Sequence, residues 1–368
     1  MEVCMENQSI LLNLLNAGPQ QDEMQKFNQF LSSINKELYN KPFFNDCQIC
    51  RKVKPKFCNS HTIPRFILRN IADKGRIYNT QILKENPFMQ PENGIENAQT
   101  FKSICCECDS KIFQEYETPE NWLTPPNNTM LNQIALKCHL YYQYKLTRDI
   151  RRLDYVNTQI SEKYKIKKNK TPLNNIIKPW SLDKKAHARK VKTLYSQIDK
   201  NEEIFKLGYY RKLDYVIPLV FQGTFAIHFD IQGRKINNPF SKKIDGLRNI
   251  YLCLYPFQDS SIIVIFYESN KYDKFFKELN GLDLEEQLSI INFLVFANSE
   301  DVFISKNVDM SVFDNDDFKQ IAFVQPISIT VGNNKNDLPK TRLEAFRDEF
   351  NISNHKKCPN LLSRKFAI

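Results

Sequence analysis

The spacing of apolar residues divides the chain into a helical half and a half with strands. Apolar side chains recur three or four positions apart over residues 1–40 and again over residues 129–205, a spacing that collects them on one face of an α-helix. From about Leu213 onwards they form short runs bounded by turn residues, which predicts β-strands. The pattern therefore predicts an α+β fold.

Two short amphipathic helices are predicted at the N-terminus, within residues 1–44. Gly18-Pro19 separates them, because neither residue favours the interior of a helix. Their apolar positions are Ile10, Leu11, Leu14, Leu15, Phe27, Phe30, Leu31 and Ile34.

A second helical segment is predicted over residues 126–210. Its apolar stripe includes Leu140 and Tyr144, which lie four positions apart. A charge-dense linker at residues 163–170 divides the segment, and Asp183 is the predicted N-cap of the helix that follows.

Two antiparallel hairpins are predicted at the start of residues 211–332. In the first, Gln222-Gly223 forms the turn between strands at residues 215–221 and 225–231. The second joins residues 250–255 to residues 262–267.

Two helices are predicted after the hairpins, and the second begins at a capping pair formed by Asp283 and Glu286. Together these elements predict a separate α+β domain over residues 211–332. Residues 333–368 are predicted to be a polar tail.

The composition is that of a folded protein with two or three units. The chain has 368 residues, of which 42% are hydrophobic, and its 9 glycines include no phosphate-binding Gly-rich motif. The N-terminus does not resemble a signal peptide, and no window has the ~18 apolar residues of a membrane span. We therefore expect an intracellular, cytoplasmic protein whose 10 cysteines are thiols or metal ligands.

Positive charge is concentrated in one segment of the chain. Residues 137–200 contain 17 Lys and Arg residues against 5 Asp and Glu residues, so the rest of the chain carries about −2 of the net +10. This excess predicts a polyanionic partner, namely nucleic acid (DNA or RNA), with a solvated helical surface as the alternative. The residues predicted to bind nucleic acid are Lys145, Arg148, Arg151, Arg152, Lys184, Lys185, Arg189 and Lys190.

Two Cys-x-x-Cys pairs predict a structural zinc site. Cys47 and Cys50 form one pair, and Cys105 and Cys108 form the other, so four thiolates are available for a tetrahedral ion. Buried thiols without a metal are the alternative. Cys106 is a possible substitute for Cys105, and Cys58 is a further spare ligand.

This region resembles the HNH endonuclease family as a divergent member. The resemblance covers the first Cys-x-x-Cys pair, the run Ser60-His61-Thr62-Ile63-Pro64, and the second pair followed by Asp109. It implies a zinc treble clef holding a ββα-metal finger over residues 45–125, inserted after the N-terminal helices.

The resemblance also implies roles for individual residues. His61 takes the place of the general base, and Asn97 that of the residue which orients it. Asp109 stands where the family has His or Asn, as the ligand of a catalytic Mg²⁺ or Mn²⁺. Glu117, at the end of a helix that resembles a Phe-x-x-Tyr-Glu variant, is a further candidate ligand or a helix-packing residue.

The sequence therefore predicts a metal-dependent endonuclease that hydrolyses phosphodiester bonds. The alternative is a catalytically inactive zinc module that binds nucleic acid or a protein partner. Residues 211–332 are the predicted surface for a homo-oligomer or a regulatory protein. The remaining histidines, at positions 139, 187, 228 and 355, are interpreted as packing or surface residues rather than metal ligands.

Overall fold

A computed structural model of the chain describes residues 38, 42–83, 91–165, 167–170, 173–198, 200, 203–238, 247–323 and 346–368. The predicted N-terminal helices therefore lie almost entirely outside the described residues. Within the described ranges the protein combines helices with antiparallel sheets, as the sequence predicts. None of the helices in these ranges has the length and apolar character needed to cross a membrane.

Short elements build the cysteine region, and a two-stranded antiparallel sheet lies at its centre. In that sheet Ser60 pairs with Phe101 and His61 with Thr100. The elements are β1 (Ser60–His61), α1 (Arg65–Ile71), β2 (Arg76–Asn79), β3 (Glu92–Gly94), β4 (Thr100–Phe101), α2 (Cys106–Ile112) and α3 (Gln114–Glu117).

Two long helices follow, α4 (Asn128–Tyr164) and α5 (Asn174–Ile198). Asn127 caps α4, because its side chain accepts a hydrogen bond from the Met130 backbone N–H. The helices form an antiparallel hairpin in which Asn132, near the start of α4, donates to the carbonyl of Leu194, near the end of α5. The prediction that Asp183 caps the second helix is wrong, since α5 begins nine residues earlier and continues through Pro179.

The remaining elements form most of a seven-stranded sheet and the helices that cover it. They are β5 (Lys206–Leu213), β6 (Leu219–Phe225), β7 (Ile250–Pro256), β8 (Ser261–Tyr267), α6 (Asp273–Asn280), α7 (Leu284–Asn298), β9 (Phe303–Ile304) and α8 (Asp316–Phe323). The strand order is β3-β2-β9-β6-β7-β8-β5, and every pairing is antiparallel.

This sheet crosses the boundary that the sequence suggested between domains. Strands β2 and β3 belong to the cysteine region, yet β2 pairs with β9, which in turn pairs with β6. Residues 211–332 were expected to form a separate unit, but part of their sheet is supplied by residues 76–94. The physical reason is that strand β9 has backbone N–H and C=O groups along both of its edges. Strand β6 pairs with one edge, and β2 satisfies the hydrogen-bonding groups of the other.

Both faces of the sheet are buried, so its central strands are apolar throughout. On β7, Leu252 and Leu254 join a core shared with α6, α7 and the C-terminal residues. Tyr251 and Cys253 point the other way and join a core shared with α4 and the cysteine region. This period of two places the sheet as the middle layer between the cysteine region and the C-terminal helices.

The predicted hairpin over residues 215–231 is wrong. Gln222 and Gly223 lie inside strand β6, where they pair with Cys253 and Leu252. A Cβ atom on Gly223 would collide with the ring of Phe221, so this glycine makes room for a side chain rather than forming a turn. The second predicted hairpin is confirmed as β7 and β8, and Asp283 caps α7 by accepting a hydrogen bond from the Glu286 backbone N–H.

The C-terminal segment is also not the polar tail that the sequence suggested. Of its described residues, Phe346, Leu361 and Leu362 are fully buried in the core on one face of the sheet. The final residue, Ile368, donates its backbone N–H to the carbonyl of Val216. A few well-spaced apolar residues are enough to anchor a segment whose average composition is polar.

Candidate metal centre and catalytic site

The four cysteines of the two Cys-x-x-Cys pairs come together in space. The sulfur atoms of Cys47, Cys50, Cys105 and Cys108 all lie within 4.8 Å of one another, and Cys50 Sγ is 3.9 Å from Cys105 Sγ. Tetrahedral coordination by thiolates at about 2.3 Å places the sulfur atoms roughly 3.8 Å apart. This cluster can therefore hold a metal ion, as the sequence predicts.

Local backbone structure explains how each pair is presented. In the first pair, the carbonyl of Cys47 accepts a hydrogen bond from Arg51 N–H, and Arg51 adopts a left-handed conformation with φ of 58°. In the second, helix α2 begins at Cys106, so Cys105 and Cys108 lie one turn apart on the same side. The backbone N–H of Cys105 also points at Cys47 Sγ, 3.3 Å away.

The structure decides between the alternative ligands. Cys106 is exposed and does not belong to the cluster, so Cys105 is the ligand candidate of that pair. Cys58 also stands outside the cluster; burial, followed by the neighbouring Cys106 and Asp109, raises its pKa to about 12. Within the cluster, a hydrogen bond from the Lys52 backbone lowers the pKa of Cys50 to about 7, which favours its thiolate, whereas burial raises the pKa values of Cys47 and Cys108.

His61 ends strand β1 and is almost completely buried. Its Nε2 lies 3.0 Å from the carbonyl oxygen of Ile95, so this nitrogen carries the proton and donates it to the backbone. The other nitrogen, Nδ1, has no hydrogen-bond partner among the described residues. Burial lowers the pKa of His61 below its usual value of 6.5. His61 is thus a neutral imidazole whose Nδ1 lone pair is not engaged by any described residue.

Asn97 does not contact the His61 ring through any hydrogen bond in the described residues. It lies in a short 3₁₀ turn with an exposed side chain, and its carbonyl accepts a hydrogen bond from the Thr100 hydroxyl. The carbonyl of Ile95, two residues earlier, orients the imidazole instead. The catalytic role of the Asn97 side chain stays a prediction.

Asp109 and Glu117 are joined by a lysine that the sequence did not single out. Lys137, on helix α4, lies 3.3 Å from Asp109 Oδ1 and also forms an ion pair with Glu117. Its side chain is only 1% exposed. Its ammonium also lies 4.4 Å from the ring centre of Phe113, within the range of a cation–π contact.

Polar contacts of this kind fix helix α4 against the cysteine region. Gln133 accepts a hydrogen bond from the backbone N–H of Tyr116, and Gln143 donates to the side chain of Gln48 beside the first cysteine pair. Tyr116 in turn donates its hydroxyl to the carbonyl of Thr62, next to His61. Tyr116 therefore links the His61 region to the Lys137 ion pairs.

Most of the predicted nucleic-acid-binding residues have partners within the protein. Lys145 forms an ion pair with Asp301 at 2.9 Å, and Lys190 contacts Glu268 at 2.6 Å. Arg148 and Arg152 both bind Asp149, while Arg151 donates to the Pro42 carbonyl and stacks on Phe43. On α5, Lys184 is half-buried, whereas Lys185 and Arg189 are exposed.

Two of the other histidines form a buried pair. His139 Nδ1 and His187 Nδ1 lie 2.7 Å apart, and His139 Nε2 lies 2.8 Å from the Tyr251 hydroxyl. Burial lowers the pKa of His187 to about 4, so both rings are neutral at physiological pH. His228 packs edge-on against Phe346. His355 Nδ1 and the Ser289 hydroxyl share a hydrogen bond.

Comparison of the chain with protein-family models, with curated protein sequences and with solved structures gives no match.

Proposed function

We propose that residues 46–117 form a zinc-stabilised nuclease site of the HNH type, in which His61 is the general base that hydrolyses a phosphodiester bond. The observation that carries this proposal is the state of His61. A backbone carbonyl holds its Nε2–H, and its Nδ1 is left free to take a proton.

The arrangement around His61 supports the same proposal. The histidine ends β1, the first strand of a two-stranded antiparallel sheet, and the second strand, β4, leads into helix α2 at the second cysteine pair. The ββα-metal finger resemblance implies two strands followed by a helix, and here α1, β2 and β3 are inserted between the two strands. The four-cysteine cluster anchors both ends of the segment.

The ion proposed for the cluster is zinc. Four thiolates are a soft ligand set, and such sets at this spacing are typical of structural tetrahedral zinc. A structural ion here fixes the first cysteine turn against α2, and so fixes the hairpin that carries His61.

The proposed reaction uses the residues of the chain as follows. His61 Nδ1 takes a proton from a water molecule, and the oxygen of that water forms a bond to phosphorus. The bond from phosphorus to the leaving sugar oxygen breaks, and that oxygen takes a proton from solvent. Arg65, whose side chain is 50% exposed and close enough to lower the pKa of His61, forms an ion pair with Glu96 and would exchange this partner for the phosphate.

The alternative function is a zinc module that binds a partner without catalysis. The pairing of Asp109 with Lys137 favours it, because that carboxylate was the predicted ligand of a catalytic ion. The two functions differ in one measurable property, namely whether any phosphodiester bond is cleaved.

The deciding experiment incubates the full-length protein with single-stranded DNA, duplex DNA and RNA, with and without Mg²⁺. We expect cleavage that His61→Ala reduces by about 10²–10⁴-fold, the usual contribution of a general base. Lys102→Ala, an exposed position just after strand β4, is the matched control and should retain the rate. Equal cleavage by the wild type and His61→Ala would rule out the proposed mechanism, and no cleavage of any substrate would favour the binding module.

A further inference from the structure

The two carboxylates that the HNH resemblance assigns to a catalytic ion already hold a cation of the protein itself. Lys137 Nζ donates a hydrogen bond to Glu117 and lies 3.3 Å from Asp109 Oδ1, a buried oxygen that it compensates by charge but not by a hydrogen bond. Among the described residues, the four cysteines are the only group of three or more His, Cys, Asp or Glu side chains arranged to hold a metal. Asp109 and Glu117 are therefore not part of a second metal-ready cluster.

Because Lys137 is buried, a metal ion cannot easily displace its ammonium from Asp109 and Glu117. The Lys137 side chain is 1% exposed, and an ammonium removed from water must keep its charged partners. The rings of Phe113 and Tyr116 lie 4.4 and 5.5 Å from Nζ and add cation–π attraction. A divalent ion bound to the same carboxylates would stand beside this ammonium and be repelled by it. The residues present therefore do not fit a catalytic Mg²⁺ or Mn²⁺.

We propose that Lys137 occupies the position of the catalytic divalent ion, so that Asp109 and Glu117 bind neither Mg²⁺ nor Mn²⁺ and phosphodiester cleavage at this site proceeds without these ions. The statement about cleavage rests on the proposed nuclease function. The statement about binding rests only on the contacts of Lys137, and the two are tested separately.

The binding test titrates Mn²⁺ into zinc-loaded full-length protein in chelator-treated buffer and follows free Mn²⁺ by electron paramagnetic resonance. We expect no binding by the wild type or by Lys137→Arg below about 1 mM, the weak end of carboxylate sites. Lys137→Met removes the charge of this side chain but keeps its volume, so the variant should bind one Mn²⁺ ion. The double variant, with Asp109→Asn added, should lose this Mn²⁺ ion.

One result overturns the binding statement: a wild-type protein that binds one Mn²⁺ per chain and loses it on Asp109→Asn. This comparison does not need Lys137→Met to fold, and circular dichroism of Asp109→Asn checks that this variant keeps its fold although Lys137 loses one charged partner. Zinc content, measured in the same samples, shows whether the cysteine cluster is intact in every variant.

The cleavage test compares matched reactions with and without Mg²⁺. Equal rates in both, lost on His61→Ala, support the proposal. Cleavage that needs Mg²⁺ and is lost on His61→Ala upholds the nuclease function but overturns the replacement by Lys137. Absence of cleavage in both overturns the nuclease function, and the Mn²⁺ titration then decides the binding statement alone.

Discussion

At the scale of single residues, the chemistry depends on which polar atoms already form hydrogen bonds or ion pairs within the protein. His61 donates from Nε2 to Ile95, and its Nδ1 has no hydrogen-bond partner among the described residues, whereas Asp109 forms an ion pair with Lys137. The sequence identified His61 and Asp109 as candidates, but it could not show these partners, because they come from positions 34 and 28 residues away. The sequence contains one weak indication that Lys137 is buried, since it lies on the same helical face as the apolar residues Ile134 and Tyr141.

The state of His61 predicts how cleavage depends on pH. A general base acts in its neutral form, and burial lowers the pKa of His61 below 6.5. The rate should therefore rise with pH through a midpoint below 6.5 and stay level above it. A pH–rate profile of substrate cleavage measures this midpoint, and a midpoint above 7 would contradict the assignment of His61 as the base.

The cysteines predict a matched pair of variants. Cys47→Ser removes a ligand of the cluster and should lower the zinc content from about one per chain towards zero, with a fall of roughly 10 °C in the unfolding midpoint. Cys106→Ser changes an exposed thiol outside the cluster and should preserve both. Elemental analysis and calorimetry measure the two quantities. A zinc-free wild type that is fully folded would contradict the proposed metal site.

At the scale of elements, long periodic segments were predictable and short ones were not. Helix α7 and the hairpin of β7 and β8 match the prediction closely, because each has many apolar positions with a regular spacing. The sequence pattern does not predict strands β3 and β4, which the structure contains. Strands of two or three residues have no period to detect, and β4 is nevertheless the strand that pairs with His61.

Gly223, which was predicted to lie in a hairpin turn but lies inside strand β6, gives a prediction about core packing. Gly223→Ala should destabilise the protein by about 1–3 kcal/mol, because the new methyl group collides with the ring of Phe221 inside a filled core. Gly94→Ala is the matched control, since a Cβ atom there meets nothing within 4 Å, and it should change the stability by less than about 0.5 kcal/mol. Urea unfolding measures both, and equal effects would show that Gly223 is not packed as described.

At the scale of the whole molecule, the sheet connects the metal centre to the C-terminal core. Gln99, just before β4, donates to the carbonyl of Gln222 on β6, and Asn70 of α1 donates to Pro256 of β7. Trp122 packs edge-on against Tyr255 on the same face. The region that contains the cysteine cluster therefore packs directly against the central strands.

This connection predicts that zinc release and unfolding of the sheet occur together. With rising urea, Trp122 fluorescence, β-sheet circular dichroism and capture of zinc by a chromogenic chelator should share one midpoint, because the two cores have the sheet in common. Two separated transitions, with zinc lost first and the sheet intact, would show instead that the regions fold independently.

The sequence by itself determined the α+β class, the helical character of residues 129–205 and the four cysteines that come together. These features depend on the spacing of apolar residues and cysteines over short stretches of the chain, and this spacing can be read from the sequence. The same applies to the capping pair at Asp283 and Glu286, whose hydrogen bond spans three residues.

Only the tertiary structure decided that β2 and β3 complete the sheet, that residues 346–368 enter the core, and that Lys137 neutralises Asp109. Each depends on a contact between distant segments, where the deciding quantities are burial and charge pairing rather than residue type. A lysine in a basic segment has the same sequence signal whether it faces a phosphate or a buried carboxylate. Burial of Lys137 against two acidic side chains made the difference, because a charge removed from water must find its partner inside the protein.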